Sequence, residues 1–362
     1  MGAERYRAAI IGTGRIASLL ERDPLRGKPC THAGHYGAHS RIELAAGCDV
    51  DHERLAAFGA DWAIAPAHLY GDYRTMLERE RPDIVSVCAY APERLAMCRA
   101  AVETGARGLW IEKAVACSVD EGRELERLVA ASGVAAVVDH PRRAETRYRA
   151  VARWIREQRL GRLESVHVVF SGHLIHTGTH AWDVLLDWCG PWASVSASLD
   201  AADRGGDGRA DRWPMSDGRA ADAAADRGGR AHILFEDGIE AFVTGGAKDY
   251  FVFQFDLVFS AGRVRIGNDV WEVLTPAASP RYSGFDELAC VAADTLVEAG
   301  DRYPTPMLED LVRCMEDGER PLQSLASAVE ALALGVACVE AGLLGRAVEP
   351  HTLSLFQRVE SR

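Results

Sequence analysis

Along the first third of the chain, short apolar runs alternate with segments whose apolar residues recur at helical spacing. The runs lie at 8–11, 42–48, 84–89, 109–111 and 135–138, and the helical segments at 15–20, 52–58, 73–80, 94–104 and 119–132. Apolar runs of this kind predict strands buried on both faces, and their alternation with helices predicts a parallel sheet covered on both sides. Ser118-Val119-Asp120-Glu121 fits a capping box at the start of the last helix, the serine capping a backbone N–H and the glutamate reaching back.

Past residue 140 the pattern changes. A helix is predicted at 145–158, a strand at 164–172 and a short helix at 180–188. Strands at 231–235 and 239–244 then flank Glu236-Asp237-Gly238, and strands at 251–260 and 263–266 flank Ala261-Gly262. Acidic or small residues followed by glycine between such runs predict antiparallel hairpins. The stretch 200–229, rich in Asp, Arg, Gly and Ala, reads as a solvated loop, and helices at 307–316 and 324–342 close the chain.

The expected fold class is therefore α/β. A parallel sheet covered by helices on both faces occupies 1–140, and a second α/β domain with a mainly antiparallel sheet occupies 141–362, its closing helix free to pack back on the first domain. A chain of 362 residues exceeds one typical hydrophobic core, which agrees with two domains. The formal net charge of -12, without a Lys/Arg block, argues against nucleic acid or an anionic membrane as a partner. Nine scattered cysteines without a C-x-x-C pair, several of them inside apolar patterns where a thiol acts as a small hydrophobe, read as a reduced, cytoplasmic protein. No signal peptide is expected in Met1–Arg5, and Glu330 and Glu340 interrupt the late apolar stretch, so no membrane span is expected there.

Gly12-x-Gly14-x-x-Ala17 follows directly on the first apolar run. The first glycine permits a tight turn, the second lets the backbone approach a pyrophosphate, and Ala17 permits close helix–strand packing. Free N–H groups at a helix start meet the phosphate charge. The bland reading is a tight turn without a ligand, but the strand–helix context favours a dinucleotide. Asp49, after the second run, is placed to bond the ribose hydroxyls and repel a 2′-phosphate, so NAD is expected over NADP. The step from Gly14 to Asp49 is 35 residues where about 20 is usual. The excess is assigned to 21–39, either a lid near the cofactor or a surface insertion.

Two further clusters can do chemistry. Glu112-Lys113 ends a strand at the carboxyl edge of the sheet, where open α/β folds bind ligands. Gly178-Thr179-His180-Ala181-Trp182-Asp183 places His180 at the mouth of a helix. Taken singly, a lysine or histidine is more often a solvated group than a catalyst.

With these motifs on the page, the chain resembles the glucose–fructose oxidoreductase, inositol dehydrogenase and rhizopine-catabolism family (Gfo/Idh/MocA). The resemblance runs through the glycine loop, Glu112-Lys113, Asp139-His140-Pro141-Arg142-Arg143, and Gly178-x-His180-x-x-Asp183 ahead of Leu185-Leu186…Gly190. It implies a Rossmann domain followed by a domain whose open sheet forms a subunit interface, hence a homo-oligomer, dimer or tetramer. It implies hydride transfer between NAD(P) and a secondary alcohol or ketone of a sugar, cyclitol, glycoside or nucleotide sugar. Gly12, Thr13, Gly14, Arg15, Ile16, Asp49, Ala89, Pro92, Glu112 and Lys113 would contact the cofactor. Lys113 would hydrogen-bond the reacting hydroxyl and His180 would act as acid or base, with His176 also in the catalytic set. Arg94, Arg142, Arg143 and Asp183 would meet substrate. A carbinol that loses hydride needs a partner for its proton, and a histidine titrating near neutrality suits that task.

The chain departs from the family at three places. Ala114 replaces the proline of Glu-Lys-Pro, His176 stands where an aspartate precedes the histidine by four, and Arg94 replaces a histidine in Ala91-Pro92-Glu93-Arg94. Arg94 could meet an anionic substrate group. His173, His176 and His180 fall at i, i+3 and i+7, but Gly172, Gly178 and Thr179 argue against one helix there, so no metal is expected. Trp182, Trp188 and Trp192 are expected in the core. Two alternatives to a dehydrogenase stay open: a glycoside-cleaving enzyme using transient oxidation by bound NAD, and a non-catalytic nucleotide-binding protein.

Overall fold

The strand β1 (Tyr6–Ile11) buries five of its six residues, and β4 (Ile84–Val87) and β5 (Gly108–Ile111) are buried throughout. Such strands need cover on both faces, which parallel order with helical crossovers supplies. In the computed structural model, which describes residues 5–201, 224–298, 301, 307–355 and 357–360, they form a sheet with β2 (Ile42–Cys48), β3 (Leu69–Tyr70) and β6 (Ala135–Val138). Its order is β3-β2-β1-β4-β5-β6, every pair parallel. The strand order reverses between β1 and β4, where doubly wound sheets bind dinucleotides. The two-residue β3 is too short for a periodic signal and is absent from the sequence reading.

The chain forms two units. The first comprises Met1–Ala116, Asp120–Asp139 and Thr305–Val329, and the second Cys117–Val119, His140–Pro304 and Glu330–Arg362. The sequence reading changes domain after residue 140; the segment Thr305–Val329 groups with the first unit. Its helix Met307–Asp317 buries Leu308, Leu311 and Val312 in a cluster with Trp110 and Val137.

The predicted helix at 15–20 is a correction. Residues 15–18 make a turn, a 3-10 helix covers Leu19–Arg22, and α1 spans His32–Ala38. His32 N donates to Ile16 O at 3.2 Å and Ala33 N to Ala17 O at 2.9 Å. In an α-helix each N–H bonds the carbonyl four residues back, so His32 stands where residue 20 of an unbroken helix would. The first helix is thus left after one turn and re-entered at His32. With residues 20–31 set aside, the 35-residue step from Gly14 to Asp49 becomes 23, close to the usual separation of about 20. The excursion is closed at its base by Glu21, whose Oε2 accepts from Thr31 Oγ1 at 2.7 Å and Cys30 N at 3.0 Å. The helices α2 (His52–Asp61), α3 (Tyr73–Glu80), α4 (Arg94–Glu103) and α5 (Val119–Ser132) fall where expected.

The second unit holds α6 (Thr146–Arg156), α7 (Thr179–Cys189) and an eight-stranded sheet. Its strands are β7 (Leu163–Ser171), β8 (Trp192–Leu199), β10 (Gly229–Phe235), β11 (Glu240–Gly246), β12 (Phe253–Phe259), β13 (Gly262–Gly267), β14 (Trp271–Ala278) and β15 (Asp286–Val291), in the order β15-β14-β13-β12-β7-β11-β10-β8. β7 and β11 run parallel; the other pairs are antiparallel. Both predicted hairpins form, β10 with β11 and β12 with β13. Strict alternation of buried and open positions along β10 makes its pattern readable. The small polar residues of β8 and the exposed residues of β15 hide them. Trp182, Trp188 and Trp192 are buried as expected.

The predicted loop 200–229 needs a second correction. Residues 202–223 lie outside the described residues, while β9 (Ala224–Ala225) pairs with β16 (Val359–Glu360). The helix Leu325–Leu344 is long and apolar enough to cross a membrane, and 72% of its apolar window is buried in the protein.

Candidate functional site

The two loop glycines do different work. Gly12 has φ +87°, and a Cβ there would stand 2.8 Å from Ala89 N and 3.0 Å from the Cys88 carbonyl carbon. Only glycine fits, because the loop must press against the chain leaving β4. A Cβ on Gly14 would meet nothing within 4 Å. That open face fits the approach of a pyrophosphate, beside a helical turn whose Ser18 N bonds Gly14 O at 3.0 Å. Arg15 is exposed and Ala17 buried, in keeping with a ligand side and a packing side.

Asp49 follows β2 and is buried at 5% exposure. Its Oδ2 accepts from Thr13 N at 2.8 Å and Thr13 Oγ1 at 3.0 Å, and its Oδ1 from Asp51 N at 2.9 Å. Arg54 Nη1 lies 3.3 Å from Oδ2. The sequence reading gave Asp49 to the ribose alone. Here the carboxylate clamps the glycine loop to the end of β2, with an arginine beside it.

Glu112 and Lys113 follow β5, and Glu112 N donates to Val87 O at 3.1 Å. The Lys113–Ala114 peptide is cis. Arg94 is 3% exposed; its guanidinium donates to Ala114 O through Nη1 and to Ala89 O through Nη2 at 2.6 Å. Two backbone carbonyls therefore hold the arginine expected to meet an anionic substrate. It ties the segment after Lys113 to the loop after β4, which runs on through Pro92.

Sequence reasoning missed His32. Buried at 1% exposure, it packs against Trp110 at 3.9 Å between ring centroids, the rings tilted by 37°. Its Nδ1 lies 2.8 Å from Ser86 Oγ and its Nε2 3.2 Å from Glu112 Oε1. Tyr36 Oη lies 2.6 Å from the same Ser86 Oγ. His32, Glu112 and Asp139 offer ligand atoms within 4.8 Å of one another, the candidate cation cluster among the described residues. The signal available in the sequence was Thr31-His32 at the end of an insertion, and only the helix re-entry shows where it leads.

In the second unit α7 begins at Thr179, so His173 and His176 lie in the turns before it and share no helix with His180. Asp226, from the far side of the 200–229 stretch, accepts from Ile175 N at 2.9 Å and His176 N at 2.7 Å. Leu174 N donates to Arg227 O at 2.9 Å. A carboxylate thus does serve this segment, although none stands four residues before His180. The imidazole of His176 itself is exposed.

His180 packs edge-on against His140 at 5.6 Å and Phe253 at 6.4 Å. His140 Nε2 lies 3.1 Å from Thr179 Oγ1 and its Nδ1 3.6 Å from Asp183 Oδ1. Asp183, 1% exposed, also accepts from Arg143 Nη2 at 2.7 Å, while Arg143 Nη1 pairs with Asp187 at 2.9 Å. Burial works against the Arg143 charge, but Asp183 and Asp187 together outweigh it and raise its pKa. Asp183 and Arg143, expected to meet substrate, are committed to each other. Arg142 donates through Nη2 to Asn268 Oδ1 at 3.4 Å; its guanidinium lies 3.8 Å over the Phe253 ring and borders a cavity of about 380 Å³ with Tyr148 and Asn268.

Residues 6–140 match an oxidoreductase family with an NAD-binding Rossmann fold. No curated protein matches the chain. Among solved structures, the WlbA dehydrogenase of Bordetella pertussis in complex with NADH and UDP-GlcNAcA is similar, at TM-score 0.71 and 18% identity, over 96% of this chain and 99% of that one. An oxidoreductase of Agrobacterium radiobacter in complex with NAD+, L-tartaric acid and magnesium gives 0.70 and 15%, over 96% and 99%. The apo scyllo-inositol dehydrogenase of Lactobacillus casei gives 0.70 and 15%, over 97% and 100%. At these identities the likeness is one of fold.

Proposed function

We propose that this chain, whose residues 6–140 match the Gfo/Idh/MocA oxidoreductase family with its NAD-binding Rossmann fold, transfers hydride between nicotinamide and a secondary alcohol or ketone of a polyhydroxylated substrate. The observation that carries the reading is the contrast between Gly12, packed against the chain after β4, and Gly14, open above its Cα. The sugar, cyclitol, glycoside or nucleotide-sugar class is supported by similar proteins named for scyllo-inositol and solved with UDP-GlcNAcA.

The cofactor, when bound, supplies the hydride acceptor or donor. Gly14 and the turn after it hold the pyrophosphate, and Asp49 stations the loop while opposing a 2′-phosphate, which favours NAD over NADP. Lys113 hydrogen-bonds the reacting hydroxyl. His180 takes or returns its proton, with its ring braced by His140 and Phe253. Arg142, backed by the Phe253 ring, contacts substrate. Phe242, stacked between His167 at 5.2 Å and His232 at 4.9 Å on an exposed face of the second unit's sheet, supports a homo-oligomer, which sedimentation would read.

The test mixes purified protein with NAD+ and a panel of sugars, inositols, glycosides and nucleotide sugars, following reduced nicotinamide by absorbance. At least one polyol should reduce NAD+. Lys113→Ala and His180→Ala should each slow that reaction by about 100-fold or more. Full activity in His180→Ala would remove it as the acid or base, and glycoside cleavage without net NADH would replace the dehydrogenase reading.

A further inference from the structure

The series Tyr36, Ser86, His32 and Glu112 plays no part in the reading above, and its protons can be placed. A carboxylate only accepts, so with Glu112 as its partner His32 Nε2 carries the proton shared across 3.2 Å. Nδ1 is then the acceptor of a neutral imidazole, and Ser86 donates to it across 2.8 Å. Ser86 has one proton, so Tyr36 donates to Ser86 across 2.6 Å. Each member is buried: Tyr36 and Ser86 at 0% exposure, His32 at 1% and Glu112 at 5%. Burial raises the Tyr36 pKa, keeping the phenol protonated. Burial also pushes His32 down to about 4, against the pull of Asp139.

What this series delivers is a neutral donor. It fixes a carboxylate without cancelling its charge, as an arginine or lysine there would. Ser86 lies on β4 and Glu112 just past β5, on the half of the sheet beyond the strand-order reversal. In doubly wound sheets the two mononucleotides straddle that reversal. With Asp49 and the adenosine ribose on the β1–β2 side, the other half receives the nicotinamide nucleotide. The helix re-entry after residue 31 is what brings His32 to this place.

We propose that His32 is a positioning residue that holds the Glu112 carboxylate on the nicotinamide half of the sheet, so that the site favours the cationic, oxidised cofactor over the neutral, reduced one. The proposal rests on the dinucleotide reading above. Its test measures Kd for NADH by fluorescence and for NAD+ by competition, with thermal denaturation alongside.

Glu112→Gln should weaken NAD+ by about tenfold and leave NADH within about twofold, because only one of the two rings is charged. His32→Ala should move the same ratio by about threefold through a loosened carboxylate. His32→Gln, whose amide N–H can replace Nε2–H, should recover most of the ratio. Should His32→Ala fail to fold, Glu112→Gln and His32→Gln carry the test. Equal changes in both affinities, or a ratio unmoved in Glu112→Gln, would overturn the proposal. Wild-type protein that binds neither nucleotide would overturn the dinucleotide reading itself.

Discussion

The glycine loop at 12–17 and the histidine segment at 173–183 are held by different means. In the loop, the deciding residues are adjacent in sequence, Gly12 at φ +87° and Gly14 with its face open, although Ala89 and Asp49 brace them from other strands. The histidine segment takes its order from afar, since Asp226 comes from about fifty residues downstream to bond Ile175 N and His176 N. His140, from the end of the chain's first third, meets Thr179 and packs on His180. A backbone conformation can be written in adjacent residues. A side-chain partner brought by the fold cannot.

The contrast can be broken most forcefully at Gly12. Gly12→Ala forces a side chain into left-handed backbone and against Ala89, so it should destabilise the protein by about 3 kcal/mol. Dinucleotide affinity should fall with it; calorimetry and NADH titration read the two effects. Unchanged stability would show that the loop is not set by its first glycine.

Next in size is a pH effect from the re-entered helix. His32 is neutral in the fold because burial pushes it down to about 4, whereas the unfolded chain protonates it near 6.5. Its folded pKa is depressed, so the unfolded state binds the extra proton first. Stability is therefore lost as pH falls from about 6.5 toward 4, by about 2 to 3 kcal/mol at the low end. Urea unfolding of wild type and His32→Gln at pH 7.5 and 4.5 reads the difference. Equal pH slopes in both would refute it.

Asp226→Asn sharpens the comparison from the other side. The amide nitrogen cannot accept, so one of the two backbone hydrogen bonds is lost and the other loses its charge, which should cost about 2 kcal/mol and lower turnover, while NADH affinity stays put. A matching loss of NADH binding would mean the two regions are not held separately. The smallest effect is expected at Asp49→Asn, which should raise NADP relative to NAD affinity by about threefold as one repulsive charge goes. Kd values for the two cofactors check it.

Legibility follows the same division. The parallel strands declared themselves because burial on both faces leaves unbroken apolar runs, and the hairpins because β10 and its neighbours alternate. Lys113 and His180 were visible as motifs. Arg94, Arg143 and Asp183 were visible too, but their commitments were not: each is absorbed by a carbonyl or an opposite charge that sequence spacing does not reveal. The long step from Gly14 to Asp49 was noticed as an anomaly. Its meaning, a helix interrupted and resumed at His32, depends on two backbone hydrogen bonds across the excursion.

The most direct test of the central claim, a dinucleotide seated on Gly14, is a titration of NADH into wild type and Gly14→Ala. A Cβ on Gly14 touches no protein atom, so the variant should melt with the wild type yet bind NADH about tenfold more weakly. Equal affinity in the two proteins would contradict the claim.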